Sequence, residues 1–275
     1  MKSNEFEIYS KLLYDKSGLV IKSEKAYLLE SRLIPVAKEN GFANMEELTQ
    51  ALVSNTAKPE LLISIIEAMT TNETSFFRDQ KPFDRLSEFV LPRLIENRAT
   101  KNFNLWCAAS STGQEPYTIA MVLKENEAKF PGLRCNVTAT DISKDVLATA
   151  EEGVYSQFEV QRGLPIQLLL KYFEQQGEKW QLKPEIKQMV QFKYFNLLDS
   201  MASMGKCDII FCRNVLIYFD RETKGDVLNR MYELMPKDGF LFLGGAETVL
   251  GITDKFKPVK TERGLYVPHD SVYDI

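Results

Sequence analysis

One histidine in 275 residues, His269, is the first thing this sequence is short of. It lies in a polar C-terminal stretch, whereas Ser–His–Asp and Cys–His mechanisms and most zinc sites need an imidazole held inside a fold. Whatever reaction occurs here needs no strong general base. The four cysteines, Cys107, Cys135, Cys207 and Cys212, show no metal-ligand spacing and sit in or beside apolar runs, so they read as buried, reduced thiols and no metal is expected. No apolar run approaches membrane-spanning length, and the N-terminus has no signal-peptide core, so the protein is expected in the cytoplasm. Net charge is −4 without a long basic block, which argues against nucleic acid as a partner.

What the chain does have is apolar material enough for a real core, at 44% hydrophobic residues. Residues 1–70 read as a helical N-terminal domain. Phe6, Tyr9, Leu12 and Leu13 recur at helical spacing, and Gly18 interrupts them. Ala26, Leu28, Leu29, Leu33 and Val36 mark a second helix that Pro35 bends or ends. Asn44 with Glu47 forms a capping-box pattern ahead of Leu48, and Pro59 stands at a first helical position ahead of Leu61, Leu62, Ile65, Ile66 and Met69. Residues 71–102 form a polar connector and a helix, about Phe83 to Asn97, whose Phe76 and Phe77 are expected to pack on either neighbouring domain.

From residue 103 to 275 strands alternate with helices, the pattern of a parallel, Rossmann-like α/β sheet. Strands are expected at 103–109, 135–140, 190–195, 207–212 and 239–243, with a closing hairpin turning near Arg263–Gly264. Residues 157–188 break the alternation. Lys171–Glu174 and Lys179–Leu182 about Gly177 read as a β-hairpin, a small antiparallel insertion that covers a sheet edge or takes a partner.

In such sheets ligands bind beyond the carboxyl ends of the strands. Four successive strand ends here carry hydrogen-bonding residues: Ser110 to Glu115, Asp141, Asn196–Leu197 and Arg213–Asn214. Any one alone is a loop cap; four together favour a pocket. The loop Ala108-Ala109-Ser110-Ser111-Thr112-Gly113 has one glycine where a dinucleotide fingerprint has three, so it suits a nucleoside without phosphates. That points to S-adenosylmethionine rather than NAD. Two readings stand for several residues. Asp141 binds a ribose or ammonium, or caps the helix after Ser143. Glu115 meets the cofactor's amino-acid part, or stabilises its helix N-terminus. Tyr218 carries chemistry, or is an amphipathic core edge.

Thr71-Asn72-Glu73-Thr74-Ser75-Phe76-Phe77-Arg78-Asp79 resembles the signature of the bacterial chemoreceptor methyltransferases, the CheR family of protein-glutamate O-methyltransferases. Ser111-Thr112-Gly113-Gln114-Glu115-Pro116-Tyr117-Thr118-Ile119-Ala120 resembles that family's cofactor loop. Ala139-Thr140-Asp141-Ile142-Ser143 and Phe211-Cys212-Arg213-Asn214-Val215-Leu216-Ile217-Tyr218-Phe219 follow in the family's order, with support from Arg162-Gly163-Leu164-Pro165 and Phe195-Asn196-Leu197. The likeness covers nearly the whole chain.

The resemblance implies a class I methyltransferase sheet with a β-hairpin insertion, preceded by a small all-α domain. It implies S-adenosylmethionine contacts from Asn72, Thr74, Arg78, Glu115, Asp141, Asn196, Leu197, Arg213 and Asn214, with Arg78 and Tyr218 facing the reacting groups. It also implies the product S-adenosylhomocysteine and, as acceptor, glutamates in the helical cytoplasmic region of chemoreceptors, with a receptor tail peptide conceivable at the hairpin. Gln114 departs from the family pattern by standing where an acid is usual, and Ser110 lies in a loop often richer in Gly or Ala. A mildly basic strip, Lys22, Lys25, Arg32 and Lys38, is diluted by Glu24, Glu30 and Glu39. Two rival readings stand beside the resemblance: a methyltransferase of RNA or a small molecule, and a non-catalytic S-adenosylmethionine-binding signalling module.

Overall fold

The computed structural model describes residues 2–54 and 56–274. They divide into two compact units. One holds the chain up to Thr71 together with Tyr218–Thr223; the other holds Asn72–Ile217 and the chain from Lys224 on.

The first unit is built on helices α1 (Ser3–Ser17), α2 (Ala26–Glu39), α3 (Met45–Val53) and α4 (Pro59–Met69). Gly18 ends α1 at φ 74°, a left-handed turn that glycine adopts without strain, and its N–H returns to the Tyr14 carbonyl at 2.9 Å. Pro35 does not end α2, which runs on to Glu39; the cost is the one bond its missing N–H would have made. At α3 the Asn44 side chain accepts from Glu47 N at 3.0 Å, while the Glu47 carboxylate reaches back one residue further than a capping box, to Ala43 N at 2.7 Å. Tyr9, Leu13, Leu29, Leu33, Leu48, Leu61 and Ile65 fill the core of this unit.

Arg32 has a structural role of its own. Its Nη1 donates to the carbonyls of Met69 at 3.1 Å and Thr70 at 3.0 Å, the unsatisfied acceptors at the end of α4. It is a half-buried helix cap, whereas Lys22, Lys25 and Lys38 are exposed.

The second unit opens with α5 (Lys81–Arg85), a π turn (Leu86–Val90) and α6 (Leu91–Asn97), which divide the single helix expected there. There follow β1 (Asn102–Ala108), α7 (Gln114–Glu125), β2 (Arg134–Asp141) and α8 (Lys144–Glu152). The insertion comes next: β3 (Val154–Ser156), α9 (Gln157–Gln161), α10 (Ile166–Tyr172), β4 (Phe173–Gln176), β5 (Lys179–Leu182) and α11 (Pro184–Lys187). It forms a separate antiparallel sheet in the order β3-β5-β4. It thus starts a strand earlier than the hairpin read from sequence, because Val154–Ser156 was too short a run to register. Lys171 and Tyr172 finish α10 instead of opening a strand.

The chain then returns through β6 (Val190–Tyr194), β7 (Ile209–Cys212), α12 (Arg221–Leu234), β8 (Phe240–Leu243), β9 (Phe256–Pro258) and β10 (Leu265–Pro268). The main sheet runs β6-β2-β1-β7-β8-β10-β9, parallel except that β10 is antiparallel to β8 and β9. Chain order reverses between β1 and β7, the switch point at which open α/β sheets hold ligands. Register sets what meets there: Ala108 of β1 lies opposite Thr140 of β2 and Cys212 of β7. The loop after β1, Asp141 and Arg213 therefore leave the sheet at one level.

Phe76 and Phe77 are both buried in the core of this unit, not shared between two. Phe76 meets Tyr155 and Phe173 of the insertion edge-on, at 5.0 and 5.6 Å between ring centroids, and Phe77 meets Phe83 at 5.7 Å. The segment Asn72–Asp79 is thereby fixed on the sheet-bearing unit.

Candidate functional site

The loop after β1 spends its backbone N–H groups on itself and on the end of β2. Ser110 N donates to the Thr140 carbonyl at 2.9 Å, Gly113 N to the Ser110 carbonyl at 3.1 Å, and Ser111 N to Asp141 Oδ2 at 2.8 Å. A pyrophosphate site needs such N–H groups pointed at the ligand; these are not, which fits a phosphate-free nucleoside. Gly113, at φ 92°, lies so close to its neighbours that a Cβ would come within 2.9 Å of the Ala150 Cβ. The tight approach of loop to α8 is what its glycine serves.

Asp141 joins two loops. Besides Ser111 N it accepts Ser143 N at 3.0 Å, while Ser143 caps α8 by accepting Val146 N at 3.4 Å. The helix cap is therefore Ser143, and Asp141 is a buried carboxylate whose orientation two backbone N–H groups fix at the end of β2.

Arg213 is the hub on the β7 side. Its side chain is 1% exposed. Nη1 donates to Glu115 Oε2 at 2.5 Å, and Nη2 to Asp79 Oδ2 at 2.7 Å and to the Arg78 carbonyl at 3.1 Å. The other Glu115 oxygen accepts the Cys107 thiol at 3.1 Å. Burial, then the Glu115 charge, pushes that thiol well above its ordinary pKa, so it stays a neutral donor. Glu115 thus answers Arg213 more than its own helix N-terminus. Two buried atoms at this site have no partner in the protein, Ser110 Oγ and Arg213 Nε. In a packed interior such groups are uncommon and call for a water or a polar ligand.

The remaining sequence-selected residues fall as follows. The Asn72 carbonyl accepts Ser111 Oγ at 2.9 Å, tying the 72–79 segment to the loop after β1. Thr74 is half-buried in that segment. Arg78 is half-buried, and its Nη1 donates to the Glu73 carbonyl at 2.8 Å. Asn196 closes a turn by accepting Leu198 N at 3.0 Å, and the buried Leu197 gives its carbonyl to Arg230 Nη2 at 2.8 Å. Asn214 follows Arg213 at φ 60°. These all belong to the second unit. Tyr218 is half-buried in the 3₁₀ turn Leu216–Tyr218 and belongs with the first, where its carbonyl accepts Val20 N at 3.0 Å.

Backbone strain maps the same place. Among the described residues the non-glycine positions at positive φ are Phe77, Asp79, Gln80, Ala109, Ser111 and Asn214. All lie in the 77–80 segment or just beyond β1 and β7. Left-handed backbone outside glycine is costly and gathers where function holds it.

Three participants escaped the sequence reading. Asp79 closes the 71–79 signature but was given no role there, and Glu247 and Gly244 followed the last parallel strand without a visible partner. Yet Glu247 accepts Asn214 N at 2.8 Å, Gly244 N at 2.7 Å and Ile217 N at 3.2 Å. The available signal was a fifth strand end, after β8, carrying an acid. No group of three or more His, Cys, Asp or Glu among the described residues is placed to hold a metal. No helix among them is long and apolar enough to cross a membrane.

Comparison with known proteins assigns both parts of the chain. The family described as "CheR methyltransferase, SAM binding domain" matches residues 72–265, and "CheR methyltransferase, all-alpha domain" matches residues 4–70. The chain is 41% identical over 268 residues to the chemotaxis protein methyltransferase of Vibrio parahaemolyticus, covering 96% of each. It is 40% identical over 265 residues to chemotaxis protein methyltransferase 1 of Pseudomonas aeruginosa, covering 95% of this chain and 96% of that one. It is 40% identical over 247 residues to the chemotaxis protein methyltransferase of Borreliella burgdorferi, covering 88% and 87%. With both family domains in order along it, this chain belongs to the CheR methyltransferase family and uses S-adenosylmethionine.

Proposed function

We propose that the enzyme methylates glutamate side chains in the helical cytoplasmic region of bacterial chemoreceptors, giving methyl esters that serve sensory adaptation. One observation carries this reading beyond methyl transfer in general: the site gathers charge-positioning groups and no free base. The one imidazole, His269, is exposed beyond β10, and the cysteines beside the pocket, Cys107 and Cys212, are held neutral by burial. An acceptor that arrives already ionised suits such a site, and a glutamate with a pKa of about 4.3 is ionised at neutral pH.

Asn72, Thr74, Arg78, Glu115, Asp141, Asn196, Leu197, Arg213 and Asn214 line the cofactor's place in this reading. Asp141 takes the ribose hydroxyls, and the Glu115–Arg213 pair faces the charged amino-acid part. When bound, S-adenosylmethionine supplies a sulfonium methyl that moves to a carboxylate oxygen, the electrons of the broken S–C bond staying on sulfur and no proton changing hands. The protein's work is alignment and exclusion of water, and alignment alone can contribute about 7–11 kcal/mol. Arg78 and Tyr218 each carry a catalytic role in this reading. A single aimed bond from Arg78 to the acceptor suits this chemistry better than a bidentate grip, which would stabilise the ground state.

The helical first unit meets the receptor, through exposed Lys22, Lys25 and Lys38 among other residues. The insertion takes a receptor tail peptide; its outer strands β3 and β4 flank β5, and Phe158, Ile166 and Leu170 are exposed apolar side chains beside them. The enzyme works in the cytoplasm. The test is methyl transfer from labelled S-adenosylmethionine to receptor cytoplasmic fragments. Base-labile label on glutamate is the expected outcome. Base-stable label, or label on RNA or a small molecule, would replace this acceptor with another, and cofactor binding without transfer to any acceptor would leave a signalling module.

A further inference from the structure

The loop after β7 carries Arg213 and Asn214 and leads to Tyr218, yet no strand pairs with it beyond Cys212. What holds its backbone is Glu247, in the loop after β8. Oε2 accepts Asn214 N at 2.8 Å and Gly244 N at 2.7 Å, and Oε1 accepts Ile217 N at 3.2 Å. These are charge-assisted bonds, about twice as strong as neutral ones.

Two independent features show that the arrangement is specific. Asn214 sits at φ 60°, a left-handed conformation that asparagine tolerates better than most residues and that the Glu247 bond to its N–H fixes. Gly244 is buried, and a Cβ there would lie 2.7 Å from Glu247 Oε2, 2.8 Å from Asn214 Nδ2 and 2.9 Å from Asn214 N. The end of β8 can therefore approach Asn214 only because residue 244 has no side chain. Carboxylate and glycine together set where the Asn214 amide and side chain stand.

We infer that Glu247 is a positioning residue for cofactor binding, acting through Asn214, with Gly244 supplying the space. The inference rests on the assignment of the cofactor pocket to these strand ends. It does not depend on which acceptor is methylated.

The test compares the full-length protein with Glu247→Gln and Gly244→Ala, by calorimetry with S-adenosylhomocysteine and by thermal unfolding without ligand. Glutamine keeps the shape, but it cannot accept at both ends and places an NH₂ against a backbone N–H. The expected result is binding weakened roughly ten- to hundredfold in Glu247→Gln, with the unfolding midpoint of the free protein changed by only a few degrees. Gly244→Ala keeps the carboxylate but drives a Cβ against both Glu247 Oε2 and Asn214, so it should weaken binding in the same direction, and the double variant should lose less than the sum. Unchanged affinity in a folded Glu247→Gln protein overturns the inference, whatever its midpoint. If that variant does not fold, Gly244→Ala decides: weaker binding supports the inference and wild-type affinity overturns it. A wild-type protein that binds S-adenosylhomocysteine yet esterifies no receptor glutamate would sink the proposed acceptor and leave Glu247 in its role.

Discussion

Arg213 bridges Glu115 and Asp79 with the two ends of one guanidinium, at 2.5 and 2.7 Å, and the two carboxylates are unequal: Glu115 is 13% exposed and Asp79 56%. A buried charge stripped of its partner is expensive, whereas an exposed ion pair contributes little. Arg213→Ala should therefore cost about 3–5 kcal/mol in urea unfolding, and Asp79→Asn less than about 1 kcal/mol. Arg213→Lys should fall near the alanine variant, because one ammonium cannot span Glu115, Asp79 and the Arg78 carbonyl. Equal losses for Arg213→Ala and Asp79→Asn would contradict this account of the hub.

Gln114 explains its own departure from the family's usual acid. Its side chain is buried, accepts Thr112 Oγ1 at 2.8 Å and donates to Glu159 Oε1 at 3.4 Å. Glu159 is committed to capping α9, where it accepts Ser156 N at 2.8 Å. A carboxylate at 114 would face that carboxylate in a buried setting. Gln114→Glu should destabilise the fold by about 1–3 kcal/mol at pH 7, and Glu159→Gln in the same chain should recover part of the loss. The penalty should also shrink as pH falls, since mutual repulsion raises a carboxyl pKa and protonation relieves it. A double-mutant cycle at pH 7 and pH 5 reads both effects.

The fold was legible where period and punctuation were strong. Gly18, Asn44 and Pro59 each end or begin a helix as their chemistry dictates, and the run Phe103–Ala108 became β1. Legibility failed where a tertiary partner decides. Arg32 carries no sign of the α4 carbonyls it caps, and nothing near Phe76 announces that Tyr155 and Phe173 will enclose it. At the site, the strand-end rule found Asp141 and Arg213 because apolar runs stop abruptly there. It passed over Glu247, whose role lies in three backbone N–H groups 3, 30 and 33 residues away in sequence, which leave no trace in residue type.

The thiols give a prediction in pH. Burial pushes Cys135 and Cys207 up to about 12, and raises Cys107 and Cys212 well above the ordinary range. In the unfolded chain a thiol ionises near ~8.5. Since the folded form favours the protonated state, its contribution is complete below that value and declines as pH rises toward 12. The urea midpoint should hold between pH 6 and 8 and fall steadily above about 8.5, and Cys107→Ala with Cys212→Ala should flatten the fall. At pH 8 the native protein should resist alkylation of Cys107 and Cys212, with modification appearing only as urea opens the chain. Rapid labelling of either in the native state would mean that the pocket wall opens on its own.

Tyr218 offers the sharpest test of the proposed chemistry, because its ring and its hydroxyl can be separated. The backbone of its turn is held independently of the hydroxyl, through the bond from Val20 N to the Tyr218 carbonyl at 3.0 Å. Tyr218→Phe leaves that bond and the ring in place and removes one donor. If the hydroxyl steadies the acceptor carboxylate as it attacks, turnover should fall about a hundredfold, the scale on which single preorganised donors act. S-adenosylhomocysteine affinity should stay within about twofold, since the contacts assigned to the cofactor belong to other residues. The rate should show no new dependence on pH between 6 and 9, as an acceptor ionised from about 4.3 upward needs no base at any point in that range. A matched loss of cofactor affinity and turnover would make Tyr218 a packing residue and leave Arg78 as the sole hold on the acceptor.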